Sequence, residues 1–360
     1  MQAEKKSRIN RKLLSLLFCC LWLLPPIGTV SAQTVFDSTV LIYHRFGESQ
    51  YPTTNVSVEQ FREQMAYLSA NNYRVVALGE LVQALNGKKS LPAKSVVITI
   101  DDGYKSVYLE AWPVLKAYGY PFTVFINAKS ISSGFSNYMN WDEVLDLHEN
   151  GVDIQDHSYA HNRLVDRPAG MSDGEYRGWI REDLRRNMKI ISEKLGSESS
   201  FFAIPYGEYN QEVMAVARKL GYQAILTQDP GSVSRESDPH MLPREAILGD
   251  EWATMPHFKR ILRRVDLPIT DLHPAFGNVE AAPDYYSARL LHADRYESDG
   301  FGIYVSELGW LPFRRKGDKL IAPGGTRLSR RLNRVMLKAR EKKSGRIAVR
   351  SWLLVRSDND

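Results

Sequence analysis

Short aliphatic and β-branched runs alternate along most of this chain with longer stretches in which apolar residues recur every third or fourth position. "STVLIYHRF" predicts a strand, and "SVEQFREQMAYLSANNY" predicts a helix with Ser57 as N-cap and Phe61, Met65 and Leu68 on its inner face. "YRVVAL" then reads as a strand, and "LGELVQALNG" as a helix closed by Gly87. The alternation continues. "SVVITI" leads to "VYLEAWPVLKAYG", "PFTVFIN" to "NWDEVLDLHENG", "GVDIQD" to a long helix around Asp173 to Leu195, "SFFAIPYG" to "NQEVMAVARKLG", and "YQAILTQ" ends the series. Strands separated by helices of ten or more residues imply a mainly parallel α/β sheet with helices outside it. About seven such units suit a barrel-like domain, with its chemistry at the carboxyl ends of the strands.

From about Leu267 the pattern changes. "YYSARLLHA", "GFGIYVSEL", "LPFRRKGDKLIA" and "RLNRVMLKAREKKSGRIAVRSWLLV" read as strands joined by tight turns at Lys316-Gly317-Asp318 and Lys342 to Gly345. The expected organisation is therefore an α/β catalytic domain over 33–250, a connecting helix over 251–267, and a small antiparallel β domain, a sandwich, over 268–360.

The first 32 residues stand apart. Five basic residues precede the apolar run "LLSLLFCCLWLL", and "TVSA" supplies small residues before a cut after Ala32. This predicts an export signal and a periplasmic or extracellular protein. Cys19 and Cys20 are the only cysteines, so the exported chain has no disulfide and no thiolate ligand. The formal charge of +5 shrinks to +1 beyond residue 32, but Ser306 to Arg356 holds fifteen Lys and Arg against three acids. Such a basic region suits an anionic glycan or an envelope surface; for an exported chain nucleic acid is excluded as the natural partner.

Two motifs carry candidate chemistry. "VVITIDDGY" sets Asp101 and Asp102 side by side at the end of a buried strand, where two carboxylates raise each other's cost of ionisation unless a cation sits beside them. A helix N-cap followed by a turn is the ordinary alternative. "DIQDHSYAHNRL" places His157 and His161 four residues apart, so that one helical turn would aim both imidazoles the same way. With a carboxylate from elsewhere the pair makes a three-ligand set of the kind that builds catalytic zinc sites; solvated or capping histidines are the alternative.

Together with a third strand end, "AIPYGEY", these motifs resemble the polysaccharide deacetylases of carbohydrate esterase family 4 over roughly Thr39 to Ala246. The resemblance implies a distorted (β/α) barrel in which Asp101 is the catalytic base, while Asp102, His157 and His161 hold a divalent metal, zinc first and cobalt or nickel as alternatives. It also implies that the backbone N–H of Tyr206 supports the oxyanion, and it makes Tyr104 and Tyr206 candidates for contact with a polysaccharide substrate.

Two departures narrow the likeness. Ala203 stands where the family places an arginine, which leaves Arg244 in "LPREAI" as the candidate to orient Asp101. The family's C-terminal leucine–histidine motif stands instead at the front, in "LIYH", with His44 as the catalytic acid. That order is similar to the circularly permuted deacetylases of poly-β-1,6-N-acetylglucosamine. Two other readings stay open: an esterase acting on an O-acetylated glycan such as xylan, and a glycan-binding protein without catalysis. Trp141 is read as ordinary packing.

Overall fold

The computed structural model describes residues 36–356, so the expected export signal lies outside the described residues. All of the described residues belong to one compact unit. Among them no helix is long and apolar enough to cross a membrane.

The first half builds a curled parallel sheet from eight strands: β1 (Asp37–Tyr43), β2 (Arg74–Val75), β3 (Lys94–Asp102), β4 (Thr123–Ile126), β5 (Asp153–Asp156), β6 (Phe201–Ala203), β7 (Ala224–Leu226) and β8 (Glu245–Ala246). Their order is β8-β1-β3-β4-β5-β6-β7, with β2 beside the start of β3. Residues 242–246 close the ring. Leu242 bridges Leu226 of β7, and three residues later Glu245 pairs with Leu41 of β1. The result is a distorted barrel, and Arg244 lies in its closing segment.

The strands are short and buried on both faces, which is why they read as apolar runs without alternation. Helices α1 (Val58–Ala70), α2 (Leu78–Leu85), α3 (Trp112–Tyr118), α4 (Trp141–Glu149), α5 (Asp173–Leu195) and α6 (Gln211–Lys219) follow the strands as expected. Ser57 caps α1 in a full capping box with Gln60, the arrangement in which side chains satisfy orphan N–H groups at a helix start.

The segment expected as one connecting helix divides. A short turn of helix at Gly249–Trp252 is followed by α7 (Met255–Ile261) and then by β9 (Val265–Asp266). Thr254 caps α7 and Pro256 sits in its first turn, so the sequence itself restarts the helix there. Phe258, Ile261 and Leu262 pack into the core of the barrel half.

Beyond β9 come β10 (Ile269–His273), β11 (Gly277–Val279), β12 (Tyr285–Leu290), β13 (Gly302–Val305), β14 (Gly309–Leu311), β15 (Arg314–Lys316), β16 (Lys319–Pro323), β17 (Leu332–Arg340) and β18 (Ile347–Arg356). They form two sheets, β9-β18-β17-β13-β14 with β11 also on β18, and an antiparallel β10-β12-β16-β15. Tyr286, Ile303, Leu320, Val335, Leu337 and Trp352 fill the space between the sheets.

Strand β18 joins the two halves. Trp352 and Leu354 enter the sandwich core, whereas Leu353 and Val355 pack with Phe202, Ile204 and Tyr209 of the barrel. The apolar run "WLLV" is therefore buried on both faces. Three arginines of the basic region pair with acids of the barrel along the same contact, and a fourth, Arg350, pairs with Asp266 of β9. Arg334 pairs with Asp229 at 2.9 Å, Arg346 with Asp37 at 3.5 Å, Arg350 with Asp266 at 3.7 Å, and Arg331 with Asp166.

His257 on α7 makes the fold sensitive to pH. Burial, with Arg260 and Arg264 nearby, pushes its imidazole down to about 4. The unfolded chain then binds the extra proton between pH 6.5 and 4, so stability falls as pH drops through that window. The slope of melting temperature against pH between 4 and 6.5 is expected to be shallower in His257→Gln than in the native protein; parallel curves would assign the acid sensitivity elsewhere.

Candidate active site

Strand β3 ends in two aspartates of different backbone conformation. Asp101 is still in extended register and fully buried, whereas Asp102 has φ 75° and is followed by Gly103, also at φ 75°. A left-handed aspartate at a strand end is a strained placement. The second carboxylate reaches His157 Nε2 at 3.2 Å, the same nitrogen that Asp101 Oδ2 approaches at 3.8 Å.

Asp101 meets Arg244. The guanidinium Nη1 and Nη2 donate to Oδ1 and Oδ2 at 2.7 and 2.8 Å, and both side chains are fully buried. Arg244 is itself held by the Thr227 carbonyl at 2.8 Å and by Thr99 Oγ1 at 3.2 Å. Burial alone would raise the Asp101 carboxyl; the Arg244 guanidinium foremost outweighs it, and the group is held below the usual carboxylate range. A bidentate guanidinium fixes the plane of a carboxylate as well as its charge. The arginine comes from 143 positions away because the barrel closes there.

Asp102 meets the histidines. Its Oδ1 lies 3.2 Å from His157 Nε2 and 3.0 Å from His161 Nε2, and the two Nε2 atoms are 3.2 Å apart. His157 Nδ1 is 2.7 Å from the Ala203 carbonyl. A carbonyl only accepts, so Nδ1 carries the proton and the Nε2 lone pair of the neutral ring points inward. Oδ1 of Asp102 is buried without a well-formed hydrogen bond among the described residues.

These three atoms fit a metal. Neighbouring ligands around a tetrahedral ion with bonds of about 2.0–2.1 Å lie about 3.3 Å apart, close to the spacing found. With His157 Nδ1 protonated, the lone pairs of its Nε2 and of Asp102 Oδ1 face each other at 3.2 Å, an arrangement that a cation between them relieves. Asp102, His157 and His161 are the group of candidate ligands found among the described residues.

The segment from His157 to His161 is a loop and not the helical turn that the spacing suggested. Ser158 and His161 have φ of 62° and 53°. Its N–H groups are taken by side chains: Ser158 N donates to Asp156 at 2.7 Å, Tyr159 N to Asp183 at 2.9 Å, and His161 N to Ser158 Oγ at 3.1 Å. Donors satisfied in this way have no need of a helical carbonyl. The imidazoles converge nonetheless.

The supporting residues Asp183 and Asn187 were not found by sequence reasoning. Both are on α5, and Asn187 bonds the Ile126 carbonyl, the Ala128 N–H and Asp156 at 2.8–3.0 Å. Their signal was faint. They are polar residues four apart on the helix face that also carries Tyr176, Ile180, Leu184 and Ile191.

His44 directly follows β1, is 8% exposed, and has no partner at Nδ1 among the described residues. Burial pulls its imidazole below the ordinary value, against the opposing charges of Asp102 and Asp101. Tyr206 has φ 60° and is 40% exposed. Its ring meets His161 edge-on at 4.6 Å, and the Arg163 guanidinium, paired with Glu208, lies 4.0 Å above it. The next residue must be glycine, because a Cβ at Gly207 would stand 2.4 Å from Gln228 Cβ. Arg334 of the β half donates to the Gly207 carbonyl at 3.3 Å, so the sandwich braces this loop.

Tyr104 packs at 4.8 Å against Tyr138, with the Arg45 guanidinium 3.3 Å from its ring centroid. Burial raises its hydroxyl pKa far above the usual range. Trp141 starts α4 and donates to Ser132 Oγ at 3.1 Å, a packing role.

Residues 88–225 match the family model of the polysaccharide deacetylases. The Bacillus subtilis protein YxkH is 28% identical over 208 residues, 58% of this chain and 70% of that one. The poly-β-1,6-N-acetyl-D-glucosamine N-deacetylase of Escherichia coli is 26% identical over 226 residues, 54% of this chain but 34% of its own length. This chain thus matches about a third of that relative. Among solved structures, IcaB from Ammonifex degensii superposes with a TM-score of 0.53 at 27% identity, covering 63% of this chain and 96% of that one.

Proposed function

We propose that this chain, whose residues 88–225 match the polysaccharide deacetylase family model, removes N-acetyl groups from an N-acetylglucosamine polysaccharide, with poly-β-1,6-N-acetylglucosamine as the substrate. The observation that carries this reading is the pairing of a three-atom metal cradle with a separate carboxylate, Asp101, pinned 3.8 Å from His157 Nε2.

Amide hydrolysis needs an activated water, support for an oxyanion and a proton for the departing nitrogen. Asp102, His157 and His161 would hold a divalent ion, zinc by preference, which would supply the Lewis acidity that makes water a nucleophile near neutral pH. Asp101 accepts the proton of the attacking water as general base, and Arg244 keeps it ionised and oriented. The Tyr206 N–H donates to the developing oxyanion. His44 delivers a proton to the sugar nitrogen, and the exposed ring of Tyr206, with Tyr104, lies against the glycan. Export to the periplasm or beyond, read from the leader, would bring the enzyme to such a polymer.

Acetate release tests the reading. Metal-stripped protein is expected to be inert on poly-β-1,6-N-acetylglucosamine and to recover with Zn²⁺, Co²⁺ or Ni²⁺. Greater release from chitin oligomers would change the linkage, and release from acetylated xylan alone would make the protein an esterase. Full metal occupancy with no release from any of these polymers would defeat the proposal.

A further inference from the structure

A cavity of about 510 Å³ lies where α7 meets the sandwich. Lys259, Arg260, Arg263 and Arg264 line it from the α7 side, and Lys338 and Arg346 from the sheet, with no carboxylate in its wall. Two of these cations are neutralised from behind: Arg264 donates to both oxygens of Glu245 at 2.6 Å, and Arg346 reaches Asp37 at 3.5 Å. Arg346 also donates to the Arg263 and Arg264 carbonyls at 3.0 and 2.9 Å, which fixes the cavity wall. Lys259, Arg260, Arg263 and Lys338 have no carboxylate partner among the described residues. Four unneutralised cations around one hollow repel one another, and a bound anion relieves that repulsion.

Trp310 adds a second kind of chemistry. The indole is 51% exposed on the cavity rim, and Lys338 Nζ lies 4.1 Å from its centroid. Gly302, paired with Lys338 across the sheet, makes room for both, since a Cβ there would come within 2.8 Å of the indole and of the lysine stem. An aromatic face presents apolar area to the C–H side of a pyranose ring. A phosphate or a free carboxylate would use the cations and leave the indole idle.

We propose that this cavity is a saccharide site distinct from the catalytic centre, and that it binds an acidic glycan of uronate type, with sugar on Trp310 and carboxylates on Lys338, Arg263, Arg260 and Lys259. It goes beyond the deacetylase reading and does not depend on it. Asp37, which pairs with Arg346 of the cavity wall, opens β1, whereas His44 follows the other end of that strand, so these two residues stand roughly 20 Å apart along it. A polymer held here would keep the enzyme on an acidic matrix while its catalytic face works on a neutral chain.

The test is calorimetric titration of the full chain with polygalacturonate oligomers at several salt concentrations, beside poly-glutamate of equal charge and vesicles of anionic phospholipid. The expected result is saturable binding to polygalacturonate, weakened about tenfold or more in both Trp310→Ala and Arg263→Glu, with unchanged melting temperatures. Poly-glutamate should bind more weakly and be indifferent to Trp310→Ala. Equal affinity for poly-glutamate, binding only to vesicles, no binding to polygalacturonate, or binding that survives both substitutions would overturn the proposal.

Discussion

Asp101→Asn is expected to lower kcat by about 10³-fold, the usual reach of a positioned general base, while leaving one metal ion per chain. The geometry separates the two effects. Asp101 faces Arg244 and Asp102 faces the histidines, so the amide removes the proton acceptor without removing a ligand. It also leaves Arg244 buried beside a neutral group, and a loss of stability of about 3 kcal/mol follows from breaking a buried pair. Turnover measured per metal-loaded folded molecule distinguishes the two costs. Activity within a few-fold of native would remove Asp101 from the mechanism, and loss of the metal would show that it is a ligand.

The second large effect is expected at Arg244. Arg244→Met should destabilise the fold by about 3–5 kcal/mol, because it strands a buried carboxylate. It should also lower kcat by about 10²-fold, as loss of alignment at a reacting group does. Arg244→Lys restores charge without the two-pronged fit, so it should recover part of the stability and little of the rate. Urea unfolding and acetate release from the same preparations check both. If lysine restored full activity, the role of Arg244 would be charge alone; if methionine left stability unchanged, the carboxylate would be neutralised by another group.

The sequence held the chemistry in fragments that each had an ordinary explanation. Asp101 and Asp102 were visible because two carboxylates at the end of an apolar strand are costly. His157 and His161 were visible through their spacing, although the reason first given, a helical turn, differs from the loop that carries them. What could not be read was the packing of α5, where Asp183 and Asn187 reach back to hold that loop. Buried polar residues on a long amphipathic helix look like solvated ones until the neighbouring strand is placed. Arg244 had only a missing arginine at Ala203 to recommend it. Its route to Asp101 depends on how residues 242–246 bridge β7 and β1, a long-range pairing without a local signature.

The basic C-terminal region shows the same division. Composition fixed its charge and its strand periodicity, because both are local properties of the chain. Tertiary structure determined how that charge is used: Arg331, Arg334 and Arg346 neutralise acids of the barrel, Arg350 pairs with Asp266 of β9, and Lys338 joins Lys259, Arg260 and Arg263 around one cavity. Periodicity and residue type determined the parallel strands, the sandwich strands and the reactive side chains. Only the closed barrel decided which carboxylate meets the arginine and which meets the histidines, because that choice rests on the left-handed turn at Asp102 and on strand neighbours more than a hundred residues apart.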